Sequence, residues 1–300
     1  MQNIEIPHEV KSWINDVFAS CNSRITQKLC NIPNVHEPSL DMTFIEHFSQ
    51  LASPKIFASN WIVRIDTHYL GGLRHFNRWE IADIGLLLFF RRGGKVLKSK
   101  VCLLQSKRLY PTNEVVREDL RIDYEIGFAR LADPEDTAIS LSHVTEFNFD
   151  DSCRYAAIST KDQQYEAIKR YYQEKGIPVY YQFYNPAFIP FTQTTPLTNY
   201  ASSQQDLVLG TRIIPATNLH HYLDQKDKGY KPTLGEMKDL IINENFHYGW
   251  SLEFFAAELF MGCTEGYVFE NINDERIQSM FYRRSGPISA AIAISIELPE

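Results

Sequence analysis

The sequence predicts an α/β fold, a mixed β-sheet flanked by helices. Three patterns predict it. Residues 1–51 carry apolar side chains at helical spacing. Residues 56–110 read as three successive strands rich in β-branched and aromatic residues. Helix and strand patterns then alternate as far as residue 186.

In order, the first helix lies within residues 1–30, with Val10, Trp13, Ile14, Val17 and Phe18 on one face. NIPNVHEPSL reads as loop, and a second helix starts near Ser39 or Asp41. Its apolar face is Phe44, Ile45, Phe48 and Leu51, with Glu46 off that face. The predicted strands are IFASNWIVRID, WEIADIGLLLFF and VCLLQSKRLY, the last two joined by the turn signal Arg91-Arg92-Gly93-Gly94-Lys95. A helix over 113–132, a strand at CRYAAIS, a helix ending on Gly176 and a strand at IPVYYQFYNP follow. From about residue 191 the texture turns polar and rich in Pro, Thr and Ser. Beyond it, TLGEMKDLIINENF and GWSLEFFAAELFMG read as helices and ISAAIAISIEL as a strand. This C-terminal α+β segment, 191–300, is either a separate domain or an extension of the 1–190 core.

The 300 residues suffice for one large domain or two small ones. With 44% apolar and 22% charged residues the composition is that of a soluble protein, and the net charge of -7 gives no global sign of nucleic-acid binding. The five cysteines are scattered without zinc spacing and read as free thiols. No stretch approaches the length of a membrane span or a signal peptide, so a cytoplasmic location and no membrane partner are expected.

The chemistry gathers at VCLLQSKRLY. Side chains at i and i+2 share a strand face, so Gln105 and Lys107 point one way and Ser106 the other. On the preceding strand Asp83 interrupts an apolar run. A lone buried carboxylate is expensive, and a metal ion or Lys107 would offset its cost. Gly85, two residues on, leaves room beside it. The rival readings are a structural Asp83–Lys107 ion pair and a solvated strand end. From Ile84 to Asn113 there is no acid, while Arg91, Arg92, Lys95, Lys98, Lys100, Lys107 and Arg108 fall in that window. A basic hairpin beside the site suits a phosphate backbone.

An acid-bearing helix, a strand with Asp and a hairpin to a strand ending in (Asp/Glu)-x-Lys resemble the PD-(D/E)xK nuclease superfamily. The matching residues are Glu46, Asp83 and Gln105-Ser106-Lys107, and the resemblance covers roughly 40–185. Gln105 stands where the family has an acid. This Gln-x-Lys variant is similar to Mrr-like restriction endonucleases and anti-phage nucleases.

The resemblance implies a restriction-endonuclease-like αβββαβ core and a Mg²⁺-dependent (or Mn²⁺-dependent) phosphodiesterase. The substrate would be DNA in preference to RNA, in defence or restriction, and low sequence specificity is expected because the sequence shows no groove-reading element. Asp83, Gln105, the Ser106 carbonyl and Glu46 would hold the metal, and Lys107 would stabilise developing charge. Arg91, Arg92, Lys95, Lys98 and Arg108 would contact nucleic acid. The alternative is a catalytically silent nucleic-acid-binding module, or a subunit gated by a defence-complex partner or a homo-oligomer through 191–300. His68, His75, His143 and His220-His221 lack metal-ligand spacing. Glu9-Val10-Lys11 and Glu236-Met237-Lys238 spell ExK outside the strand context.

Overall fold

The computed structural model describes residues 4–51, 53–69, 81–112, 145–195, 209–243, 246–270, 274–281 and 287–300. The predicted helix over 113–132 lies outside these residues, as do His75 and His143.

Two long helices open the chain. Helix α1 (His8–Asn31) buries Val10, Ile14, Val17 and Phe18 from the predicted face and extends that stripe through Cys21, Ile25 and Leu29. Helix α2 (Glu37–Ser49) starts earlier than the sequence suggested. Pro38 stands in its first turn, where a missing N–H costs nothing and a fixed φ favours the helix. Phe44 and Phe48 pack on Phe18 at ring separations of 6.4 and 4.7 Å.

The first predicted strand divides into β1 (Lys55–Ile56) and β2 (Ile62–Tyr69), around a tight turn in which Asn60 has φ 61°. Strands β3 (Ala82–Arg92) and β4 (Lys95–Arg108) form the predicted hairpin. Strand β5 (Thr145–Phe149) pairs with β7 (Phe191–Thr195) in a separate ribbon, so part of the predicted linker is a strand. The Phe149 and Phe191 rings stack at 6.0 Å and give that ribbon a buried face. Helix α3 (Gln163–Lys175) begins where the Asp162 carboxylate accepts from the Tyr165 N–H at 2.8 Å, and ends on Gly176 at φ 66°. Strand β6 (Val179–Tyr184) follows.

CRYAAIS is not a strand. Only Arg154 makes ladder-like bridges, to Tyr110 and to Thr233. The neighbouring stretch contains Pro232, which lacks an N–H, and Gly229 at φ 82°, so a continuous ladder does not form.

The C-terminal segment supplies β8 (Arg212–Pro215), helix α4 (Ala216–Leu223) and the short helix α5 (Leu234–Lys238). A Thr233/Glu236 capping box starts α5, which is the structural use of one ExK decoy. The rest of that predicted helix becomes β9 (Ile241–Asn243), paired with β10 (Phe246–His247). Strand β11 (Trp250–Ser251) leads into α6 (Leu252–Phe254), which continues as a π-helical segment Phe255–Phe260. Strand β12 (Tyr267–Phe269), helix α7 (Glu275–Phe281) and β13 (Ile288–Glu297) complete the chain.

Among the described residues nine strands form one mixed, mostly antiparallel sheet, in the order β1-β2-β13-β3-β4-β6-β8-β11 with β12 on β4. Strand β13 inserts between β2 and β3, antiparallel to the first and parallel to the second. Strands β8, β11, β12 and β13 thus share the sheet built by the N-terminal part. The Ile/Ala alternation of β13 serves two cores. Ile292, Ile294 and Ile296 face α1 and α2, and Ala291 faces the layer of α3, α4, α5 and α7. Trp250, Phe255 and Phe260 lie in the first core, against α1. All five cysteines are free thiols.

Candidate functional site

Strand β4 carries the site because it runs past the start of β3. The register Ile84↔Leu104 sets Asp83 opposite Gln105 and leaves Lys107 and Arg108 beyond the ladder. On its other side this end of β4 pairs in parallel with β6, Gln105 through Arg108 lying beside Tyr181 through Tyr184. Strand position therefore decides what Asp83 meets. One of its carboxylate oxygens accepts from Gln105 Nε2 at 2.6 Å and from the Ser106 backbone N–H at 2.7 Å. The Gln105 side-chain amide oxygen is buried with no hydrogen-bond partner among the described residues.

Two acids of α2 enter from the opposite layer. Asp41 accepts from Ser106 Oγ at 2.5 Å and from Tyr184 OH at 2.6 Å, both on one oxygen. Gln182 Nε2 donates to Tyr184 OH at 2.6 Å and completes this buried chain. Glu37 accepts from the Arg108 backbone N–H at 3.0 Å and lies 3.5 Å from Lys107 Nζ. Ser106 thus joins the acids, its N–H on Asp83 and its hydroxyl on Asp41.

Electrostatics follow from burial. Desolvation raises Asp41 to about 7, the hydrogen bonds from Ser106 and Tyr184 offsetting only part of it. Desolvation and then the Asp41 charge push Asp83 well above the ordinary carboxylate range. Burial works against the Lys107 ammonium, but Glu37, Asp83 and Asp41 outweigh it and hold the pKa above the usual lysine value. Tyr184 is raised by burial and by Asp41, so its phenol stays a donor.

The structure brings Asp83, Gln105, Ser106 and Lys107 together and corrects the other expectations. Glu46 is exposed on the outer side of α2. Its expected place is taken by Asp41 and Glu37, which lie four residues apart on one helix face. Asp41 has a visible signal as an acid at the head of an amphipathic helix, and Glu37 has none, because the stretch that contains it reads as loop. Tyr184 and Gln182 read only as sheet packing. The space beside Gly85 is filled, since a Cβ there would stand 2.7 Å from Ile288 Cδ1.

The basic hairpin is at the wrong end. Asp83 and Arg92 are nine residues apart on one strand, roughly 30 Å at strand rise. Arg92 and Lys95 flank the Gly93-Gly94 turn, and Lys98 and Arg92 line a cavity with Glu5 and Glu270. Arg91 sits half-buried with its guanidinium 5.8 Å from the Phe89 ring. Arg108 is fully buried, donating to the Pro33 carbonyl at 3.0 Å and stacked 3.6 Å over the Tyr110 ring. Lys100 is buried too, donating to the Phe260 carbonyl at 2.9 Å. His68 is exposed on β2.

Among the described residues no three His, Cys, Asp or Glu side chains gather as a metal site. The oxygens at Asp83 fit a hard cation once the Gln105 amide is turned over: its Nε2 faces both Asp83 and the Ser106 carbonyl, at 2.6 and 3.4 Å, and its own buried oxygen has no partner among the described residues. A cation there would reverse the upward pressure on Asp83. Comparison of the chain with family models, curated proteins and solved structures gave no match.

Tyr184→Phe removes one of the two hydroxyls on Asp41. The expected loss is about 1–2 kcal/mol of stability. It should be larger at pH 8 than at pH 5, because the ionised carboxylate needs both donors. Urea unfolding at the two pH values checks this, and equal losses would place Asp41 in one protonation state throughout.

Proposed function

We propose that the chain is a metal-dependent phosphodiesterase, a DNA endonuclease of low sequence specificity serving defence or restriction, built on a PD-(D/E)xK-like core. The observation that carries this reading is the grouping of Asp83, the unpartnered Gln105 carbonyl oxygen and Lys107 at one strand end. The acid-bearing helix, the β3–β4 hairpin and the parallel β4/β6 pair accord with that core.

Mg²⁺ or Mn²⁺ bound by Asp83, Gln105 and the Ser106 carbonyl would supply Lewis-acid polarisation of a phosphoryl oxygen and a bound water of lowered pKa. The protein supplies the rest. The Ser106 N–H fixes one oxygen of the Asp83 carboxylate, and Gln105 Nε2, which holds that same oxygen, would give way to the amide oxygen on binding the ion. Lys107 places a positive charge where a phosphodiester gains negative charge as it is attacked. Asp41 titrates near neutrality and can hold or release a proton beside Ser106.

The test is cleavage of plasmid, single-stranded DNA and structured RNA in Mg²⁺, Mn²⁺ and EDTA, with Asp83→Asn alongside. Metal-dependent cleavage that falls at least about 100-fold in the variant is expected. Cleavage unchanged by Asp83→Asn, or by EDTA, rules the reading out.

A silent or partner-gated site is the second reading. It is favoured by the closure of the site, where Gln105 is 2% and Lys107 5% exposed and Glu37 occupies the ammonium. It predicts nucleic-acid binding without cleavage in every lane.

A further inference from the structure

The cationic surface near the candidate site is not the hairpin. Beyond Arg108, the Leu109 N–H donates to the Tyr184 carbonyl at 3.0 Å, which continues β4 along β6. The Tyr110 N–H then donates to the Arg154 carbonyl at 3.0 Å. Tyr110 is three residues from Lys107, roughly 10 Å at strand rise. From this point two loops are laced into an irregular ribbon. The Tyr155 N–H donates to the Pro232 carbonyl at 3.1 Å, the Leu234 N–H to Cys153 at 2.8 Å, the Thr160 N–H to Tyr230 at 3.1 Å and the Gly229 N–H to Thr160 at 2.9 Å. Arg154 also donates to the Lys231 carbonyl at 2.6 Å.

The paired stretches 153–161 and 228–233 contain Arg154, Lys161, Lys228 and Lys231 and no Asp or Glu. All four cations are exposed. Of the acids at the borders, Asp162 caps α3 and Asp151 pairs with Lys238 at 2.5 Å, while Asp227 is exposed beside Lys228. In an acidic chain this is a fixed cationic rail that begins at the strand end bearing Lys107.

We propose that the ribbon 153–161/228–233 binds the phosphate backbone of the nucleic acid whose phosphodiester enters the Asp83–Lys107 site. The inference rests on the nuclease reading for its substrate class and adds the surface that holds the substrate. Ammonium and guanidinium groups on a hydrogen-bonded ribbon give affinity for a polyanion without reading its bases. Buried Arg108 is excluded from this role, and the hairpin cations lie seven or more residues along the strands, roughly 23 Å or farther, from the site.

The experiment measures binding of a 30-base-pair duplex, the matching single strand and a structured RNA in EDTA across a salt series. Wild type is compared with Lys228→Ala/Lys231→Ala, and with Arg92→Ala/Lys95→Ala/Lys98→Ala at the hairpin. The ribbon variant should lose about tenfold in affinity near 0.1 M salt, and its log K against log salt slope should fall by about 1.8 on duplex or about 1.4 on single strand. The hairpin variant should bind as wild type. Arg154→Ala in the ribbon variant should weaken binding further. The three probes distinguish which nucleic acid carries the phosphates. Wild-type binding unchanged in the ribbon variant overturns the rail and leaves the nuclease reading standing. No binding by wild type to any probe overturns the nuclease reading and the rail with it.

Discussion

Lys107→Ala should abolish metal-dependent cleavage, lowering turnover about 100- to 1,000-fold, while leaving nucleic-acid affinity in EDTA nearly unchanged. The ammonium is buried among three carboxylates and is the cation that Glu37 contacts at 3.5 Å. Its removal leaves those acids facing one another without a countercharge. Breaking a buried pair by deleting one partner costs about 3–5 kcal/mol, so the variant should also unfold at distinctly lower urea. The two effects separate by a second substitution. Glu37→Gln in the Lys107→Ala background removes one of the stranded charges and should return part of the stability, a coupling that a double-mutant cycle measures. It should return none of the cleavage. Lowering the pH should also narrow the stability gap, since the stranded carboxylates can then take up protons. A Lys107→Ala protein that cleaves at the wild-type rate would remove this residue from the chemistry.

The same strand end marks how far the sequence could be read. Asp83, Gln105 and Lys107 were legible because strand alternation and a short hairpin are local rules, and the hairpin register then sets Asp83 opposite Gln105. Glu46 was not, because a helix start misplaced by a few residues changes which polar side chains are taken for the site face. Five residues on from Asp41, Glu46 is turned about 140° around the helix. Pro38, in the first turn, is the sequence signal that the helix has already begun. The hairpin cations lie away from that strand end for another reason. Closeness along the chain is not closeness in space, because a long strand carries its two ends far apart. The ribbon was hidden in the converse way, since Arg154 and Lys231 are 77 residues apart in sequence and meet only in the fold, where the Arg154 guanidinium donates to the Lys231 carbonyl. The insertion of β13 between β2 and β3 is likewise a pairing of distant segments, which periodicity alone cannot express. The strand itself was legible, and its place in the sheet was not.

Asp41→Asn should flatten the pH dependence of stability between about pH 4 and pH 7. Asp41 titrates near 7 in the folded chain because burial penalises its charge, and near 4 when unfolded. Between those values the folded state holds a proton that the unfolded state has released. Stability therefore falls as pH rises through this window and levels off above 7. Three pKa units correspond to at most about 4 kcal/mol. Asparagine keeps an oxygen to accept from Ser106 and Tyr184 but carries no charge to desolvate. The variant should match or exceed wild type in urea unfolding at pH 8 and fall below it at pH 5, where wild-type Asp41 is already neutral and well satisfied. Mg²⁺ adds a discriminating condition. Bound at Asp83, it would also ease the Asp41 charge, so wild type at pH 8 should gain more stability from the ion than the variant does. Equal slopes in the two proteins would mean that Asp41 is ionised throughout and that another group sets the pH dependence. Unequal slopes with no Mg²⁺ effect would keep the buried proton at Asp41 and detach it from the metal.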